Sequence, residues 1–192
     1  MQTPIRLSDL SQRLGGADAG MGTSTLRYYL QSLQDGGYEL ELGWPKRGGV
    51  LKLTDRDIFG VLMFSELLRH GLSVKQGVEV MRLLRVGFFH EAAKGDLTSA
   101  DLKGLTDERW VDWLQEQYAE GKKSKKAMAK RCYCLVMQTP AGKLEPSIKW
   151  VTDKPSMCVL HTQDWHLATH EGRAISVIAH DLTRIFEVME SL

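Results

Sequence analysis

One short segment, residues 23–35, combines an apolar stripe with a polar face of distinctive chemistry. Leu26, Tyr29, Leu30 and Leu33 recur at the spacing of a buried helical stripe. The opposite face then carries Ser24, Arg27, Tyr28 and Gln31, since residues three and four apart share a face. Arg can pair with a guanine edge or a phosphate, Gln with adenine, and the two hydroxyls with phosphate oxygens. The face is either a surface that contacts DNA or an ordinary solvated face with one aromatic residue.

Two short helices in tandem are predicted to carry this face. Leucines at helical spacing, namely Leu7, Leu10 and Leu14, mark the first helix. Ser8 is its predicted N-cap and Gly15-Gly16 its end. After a loop over 17–22, Thr23 or Ser24 is expected to cap the second helix, which ends at Gly36-Gly37.

A β-hairpin with a basic tip is predicted after the second helix. Tyr38, Leu40 and Leu42 alternate with glutamates, and Val50, Leu51 and Leu53 follow a glycine-rich turn at 44–49. Lys46 and Arg47 lie at the tip, and Lys52 lies on the second strand. Their charges could contact the phosphate backbone.

Two further helices are predicted after the hairpin. Thr54 caps a helix from Asp55 to about His70, whose inward residues are Ile58, Val61, Leu62 and Leu68. Ser73 and Gln76 have the spacing of a capping box. They begin a helix from Val74 to about Val86, with Val74, Val78, Met81 and Leu84 along its buried stripe.

Residues 5–86 resemble the MerR family of transcription regulators. The text Ser24-Thr25-Leu26-Arg27-Tyr28-Tyr29 is similar to the signature that opens the family's second helix. Residues 49–58 resemble the family's wing strand and the helix that follows, although the usual Tyr-Arg-x-Tyr is replaced by Val-Leu-Lys-Leu. Residues 68–78 resemble its junction between the third and fourth helices. The resemblance implies a winged helix-turn-helix.

The same resemblance implies how the protein would act. Its second helix would enter the major groove and its wing would lie on the phosphate backbone of double-stranded DNA. The contacting residues would be Ser24, Thr25, Arg27, Tyr28, Gln31, Lys46, Arg47 and Lys52. A homodimer would bind a pseudo-palindromic promoter site, contact RNA polymerase, and switch transcription through an effector or the C-terminal module.

The C-terminal half changes period from helices to strands. A helix over Asp107–Glu120 is predicted, then strands at 132–138, 147–152, 157–162 and 174–179, and a closing helix over 181–192. The expected fold is α+β: a winged-helix domain over 1–88, a helical and basic linker over 89–131, and a small strand-rich module over 132–192. The linker contains a run of six Lys or Arg at 121–131, which is either a solvated connection or a phosphate-facing strip.

Cysteines and histidines in this half allow a metal or catalytic hypothesis, which their spacing disfavours. Cys132 and Cys134 lie two apart in one predicted strand and fit one buried face. Cys158 and His161 alone are weak evidence for zinc, and no nucleophile signature accompanies them. The sequence therefore predicts packed thiols, no metal, no cofactor and no enzyme activity.

The overall composition leaves DNA binding to local patches. Basic and acidic residues number 25 and 24, so the net charge of +1 attracts neither nucleic acid nor membrane by itself. A cytoplasmic location is expected, since the sequence shows neither a signal peptide nor an apolar stretch of bilayer-spanning length. Two alternatives to a regulator are an excisionase-like architectural DNA protein and an effector-binding or protein-interaction module on a winged-helix scaffold.

Overall fold

A computed structural model describes residues 3–91, 115–116, 119, 130–152 and 176–192. Within these residues the protein is a mixed α+β structure in which five helices and five strands have defined bounds. The chain divides into two compact units, one comprising Met1–Arg82 with Ile185–Leu192 and the other Leu83–Arg184. None of the helices in the described part is long and apolar enough to cross a bilayer.

The first unit is built around one central helix. Its elements are β1 (Ile5–Arg6), α1 (Leu7–Arg13), α2 (Thr23–Asp35), β2 (Lys52–Leu53), α3 (Asp55–Arg69) and the start of α4 (Val74–Glu91). Ten of the fifteen α3 residues are buried, so α3 forms the core of this unit. Phe186, near the C-terminus, stacks on Phe59 of α3 with 5.3 Å between ring centroids. The four helices predicted for this part of the chain are confirmed, although α4 extends past Val86 to Glu91 and Leu68, Val74 and Val78 are only half-buried.

The predicted N-caps of α1 and α2 are wrong by one or two residues. The N-cap of α1 is Arg6, not Ser8, and it contributes no side-chain hydrogen bond. Instead, the Leu7 N–H donates to the Leu51 carbonyl at 3.0 Å, so the end of the strand pair satisfies the first helical amide. The N-cap of α2 is Gly22 rather than Thr23 or Ser24.

The helix ends and the later caps follow the prediction. After α2, the Gly37 N–H donates to Gln34 O and the Tyr38 N–H to Leu33 O, the paired bonds of a Schellman motif. Gly37 has a φ of +91°, which suits glycine at this position. Thr54 and Asp57 form a reciprocal capping box at the start of α3, and Ser73 and Gln76 do so before α4.

The predicted hairpin does not form. Residues 38–51 are not in strands, and β2 pairs antiparallel with β1 through the register Ile5↔Leu53 and Arg6↔Lys52. The backbone that a hairpin ladder would need is bonded elsewhere: the Tyr38 N–H is part of the helix end, and the Glu41 N–H donates to the Asp57 carboxylate at 3.2 Å. The basic tip is therefore a loop, called here the basic loop (residues 45–49).

The second unit contains a three-stranded antiparallel sheet. Its strands are β3 (Lys130–Gln138), β4 (Leu144–Thr152) and β5 (Ser176–Asp181), in the order β4-β3-β5. These strands match three of the four predicted ones, with starts shifted by two or three residues, and the predicted turn at 139–142 is confirmed by a Gly142 N–H to Thr139 O bond of 2.8 Å. The predicted strand at 157–162 and nearly all of the predicted helix at 107–120 lie outside the described residues.

The closing helix is α5 (Leu182–Ser191), as predicted from its periodicity. Four of its five apolar side chains, Leu182, Ile185, Phe186 and Met189, are buried, and Val188 is half-buried. Asp181 caps it, since its Oδ1 accepts from the Thr183 N–H at 3.0 Å.

Candidate nucleic-acid interface

The two faces of α2 differ sharply in exposure. Leu26 and Leu30 are fully buried, and Leu33 is buried as well. The opposite face is exposed at all four positions predicted from the sequence, Ser24, Arg27, Tyr28 and Gln31. Tyr28 leaves 55% of its surface in solvent, although burying an aromatic ring is normally favourable. The polar face of α2 is therefore open to a partner.

Tyr29 and Thr25 occupy the border between these faces and are half-buried. The Tyr29 ring meets Phe64 of α3 edge-on, with centroids 5.5 Å apart. It also lies 6.2 Å from the ring of Tyr28. Tyr29 therefore fixes the orientation of α2 on α3, and Thr25 is not on the fully exposed face.

The loop between α1 and α2 is held to both neighbouring helices through Met21. The Ser11 hydroxyl of α1 donates to the Met21 carbonyl at 2.9 Å, and the Ser65 hydroxyl of α3 lies 3.5 Å from the Met21 sulfur. The Met21 N–H closes the loop on Gly16 O at 2.9 Å. These contacts fix the entry of the chain into α2.

The N-terminus of α2 has no acidic neutralisation of its own. Its N-cap, Gly22, has no side chain to bond the first amides, and the first turn holds no Asp or Glu. The first turn of a helix carries partial positive charge on N–H groups that point outward. Ser24 and Arg27 follow directly, so this end of α2 is electrostatically suited to an anion.

The basic loop presents its cations on a tight turn. The Gly49 N–H donates to Lys46 O at 2.8 Å, and Gly48 at the third position has a φ of +82°, as a type II turn requires. Lys46 and Arg47 are exposed on this turn. The loop therefore projects two positive charges, although it is not the tip of a hairpin.

Tyr38 and Asp57 attach the segment before the basic loop to α3. The buried Tyr38 hydroxyl donates to Arg56 O at 2.8 Å, and the Arg56 guanidinium lies 5.5 Å from the centre of its ring. The Asp57 carboxylate accepts from the Glu41 N–H at 3.2 Å and from the Thr54 N–H at 3.1 Å. One buried carboxylate thus holds both the start of α3 and the segment that leads into the basic loop.

The buried position of Asp57 disfavours the ionised form of its carboxyl group. Burial raises the pKa of its carboxyl above the ordinary value of 3.8, because the charged form loses its hydration, while the hydrogen bonds from Thr54 and Glu41 act in the opposite direction. This role of Asp57 was not predicted from the sequence. The Thr-x-x-Asp spacing of a capping box was the available signal.

Lys52 has a neighbour that the sequence did not reveal. The register of β1 and β2 places Arg6 directly opposite Lys52, and both are exposed. Leu53, on the other face of this strand pair, is fully buried. Arg6 was missed because a pairing of two-residue strands some 46 positions apart leaves no local pattern.

The thiol that the structure describes is not a reactive group. Cys134 on β3 is fully buried, and burial raises the pKa of its thiol to about 12. It is therefore protonated at neutral pH, whereas thiolate is the nucleophile and metal ligand. The residues the structure describes contain no group of three potential metal ligands. The side chain of Cys132, and Cys158 and His161, lie outside what is described.

Comparison with known proteins adds no assignment. No family model matches the chain, and no curated protein matches it with significant sequence similarity.

Proposed function

We propose that this protein is a sequence-specific DNA-binding transcriptional regulator of MerR type, with α2 in the major groove and the basic loop on the phosphate backbone. The observation that carries the proposal is the two-sided character of α2. Three buried leucines hold it on the core, while Arg27, Tyr28 and Gln31 are exposed on its outer face. An arginine and a glutamine one helical turn apart are suited to reading neighbouring bases.

Exposed cations support the proposed contacts with the DNA backbone. Lys46 and Arg47 project from the basic loop, and Lys52 is exposed on β2. Such cations bind phosphates of any sequence and release counterions, which makes binding salt-dependent. A homodimer on a pseudo-palindromic promoter site belongs to the same proposal.

Selection of duplexes from a random-sequence pool by the full-length protein, followed by affinity titration, tests the proposal. Arg27→Ala should weaken binding to the selected sequence by about 1–3 kcal/mol while leaving binding to scrambled DNA nearly unchanged. Arg69→Ala is the matched control, because it removes an exposed arginine that is already paired with Glu66 at 2.8 Å. It should change neither affinity.

Two outcomes would contradict the proposal. An equal loss for selected and scrambled DNA on changing Arg27 would remove its role in base reading. Tight binding without any enriched sequence would favour an architectural DNA protein instead.

A further inference from the structure

The outward face of the β1–β2 pair carries two cations in direct opposition. Arg6 and Lys52 are register partners, both exposed. Opposed side chains on neighbouring antiparallel strands lie about 5 Å apart at Cβ, and like charges there are destabilising. No salt bridge to an acid is formed by either one within the described residues. The repulsion between these two cations weakens the free protein, and a bound anion would offset it.

We propose that Arg6 and Lys52 form a two-residue phosphate-binding site for the backbone of double-stranded DNA, an inference that rests on the proposed function. Arg6 can bond one backbone phosphate through two guanidinium N–H groups, and Lys52 can bind a neighbouring phosphate as a point charge. Each backbone phosphate carries one negative charge, so two neighbouring phosphates neutralise the two cations and offset their mutual repulsion. The site is therefore stabilised by the ligand and slightly strained without it.

The position of the pair in the chain supports a backbone contact. Lys52 lies five residues after Arg47 of the basic loop, and the strand pairing brings Arg6 beside it. Arg6 thus adds a cation from a second strand to those at positions 46, 47 and 52. The inner face of the same strands is anchored by fully buried Leu53, so the two cations sit on fixed backbone.

The experiment uses the full-length protein with Arg6→Gln, Lys52→Gln and the double substitution. Binding to a fluorescent random-sequence duplex is measured by anisotropy between 50 and 200 mM salt. Each single change should reduce the slope of log K against log salt by about one. The loss of affinity of each single variant, relative to the wild type, should consequently be about threefold smaller at 200 mM than at 50 mM salt.

Thermal melting of the same variants separates binding from structure. Arg6→Gln should melt no lower than the wild type, since it removes a like-charge contact. Arg6→Lys should restore most of the salt slope, because the charge is retained. Lys75→Gln is the matched control: it removes one exposed charge of the first unit from α4, an element outside the strand pair, and should leave the slope unchanged.

Three results would overturn the inference. A lower melting temperature for Arg6→Gln would indicate a structural role. An unchanged slope, with Lys46→Ala/Arg47→Ala still reducing it, would remove the pair from the interface but leave the proposed function standing. Absence of binding to any duplex by the wild type would overturn the proposed function and this site together.

Discussion

A single buried carboxylate holds the segment that leads into the basic loop. The Asp57 side chain is fully buried, and the hydration it loses is replaced by bonds from the Glu41 N–H, the Thr54 N–H and the Thr54 hydroxyl. Removing a buried acceptor would leave these donors unsatisfied, which costs more than the bonds themselves contribute. Asp57 therefore links the stability of α3 to the order of the loop that carries Lys46 and Arg47.

Asp57→Ala should lower the free energy of unfolding by about 1–3 kcal/mol and accelerate tryptic cleavage after Lys46 and Arg47. The cleavage follows because the Glu41 amide loses its partner and the segment before the loop is released, while the loss of stability also includes the bonds from Thr54. Denaturant unfolding measures the first effect. Mass spectrometry of early tryptic fragments under native conditions measures the second.

Thr54→Val provides the control for this prediction. It removes the hydroxyl from the capping box, at a cost of about 1 kcal/mol, but leaves the bond between Glu41 and Asp57. It should therefore destabilise the protein without specific cleavage in the loop. If both variants were cleaved there at equal rates when compared at equal stability, Asp57 would have no particular hold on the loop.

At the scale of elements, α2 is fixed to α4 by a close approach at its C-terminal end. A Cβ at Gly36 would collide with the Val78 side chain of α4. Valine is stiff at χ1 and cannot easily turn away. Glycine at position 36 is therefore required by packing against α4, in contrast to Gly37, where the positive φ is the requirement.

Gly36→Ala should cost about 1–3 kcal/mol of stability, because the added methyl overpacks this contact. Val78→Ala alone should also destabilise, through lost packing. The double variant should cost less than the sum of the two, since the smaller side chain makes room for the new methyl. Chemical denaturation of all four proteins gives the coupling, and strict additivity would show that the two positions are not in contact.

The parts of this fold that could be predicted from the sequence are those determined by residues close together in the chain. Helices α1 to α5 follow from periodicity and from glycines such as Gly37, and the exposed face with Arg27 and Gln31 follows from the same periodicity. The hairpin was wrong because Tyr38 and Leu40 are buried as loop residues and Glu41 is held by Asp57, while Leu42, at the end of the alternating pattern, is exposed. Alternation reports burial, and burial does not specify a strand partner.

Arg6 and Asp57 were not predicted as parts of the site for a different reason. Arg6 gains its significance from a strand pairing with Lys52, and Asp57 from a bond to Glu41, sixteen residues away. Both contacts depend on how α3 and the terminal strand are placed in three dimensions. A single amino-acid sequence contains no record of such contacts.

At the scale of the whole molecule, affinity for DNA must come from a few local charges. The net charge is only +1, so long-range attraction is weak and each phosphate contact counts. The proposed backbone contacts are Arg6, Lys46, Arg47 and Lys52. Each phosphate neutralised contributes roughly −0.9 to the slope of log K against log salt. The slope thus measures how many copies of this surface touch one duplex.

A homodimer on its selected site should show a slope of roughly −7, from two sets of four contacts, whereas a monomer should show roughly −4. Light scattering of the complex should give two chains of 21.6 kDa per duplex.

A separate set of substitutions tests the basic run at 121–131, which lies outside these contacts. In it, Lys122, Lys123, Lys125 and Lys126 are replaced by Gln. As a solvated connection it would leave the slope unchanged, while a fall by three or more per subunit would move the main backbone contact from the first unit to that run.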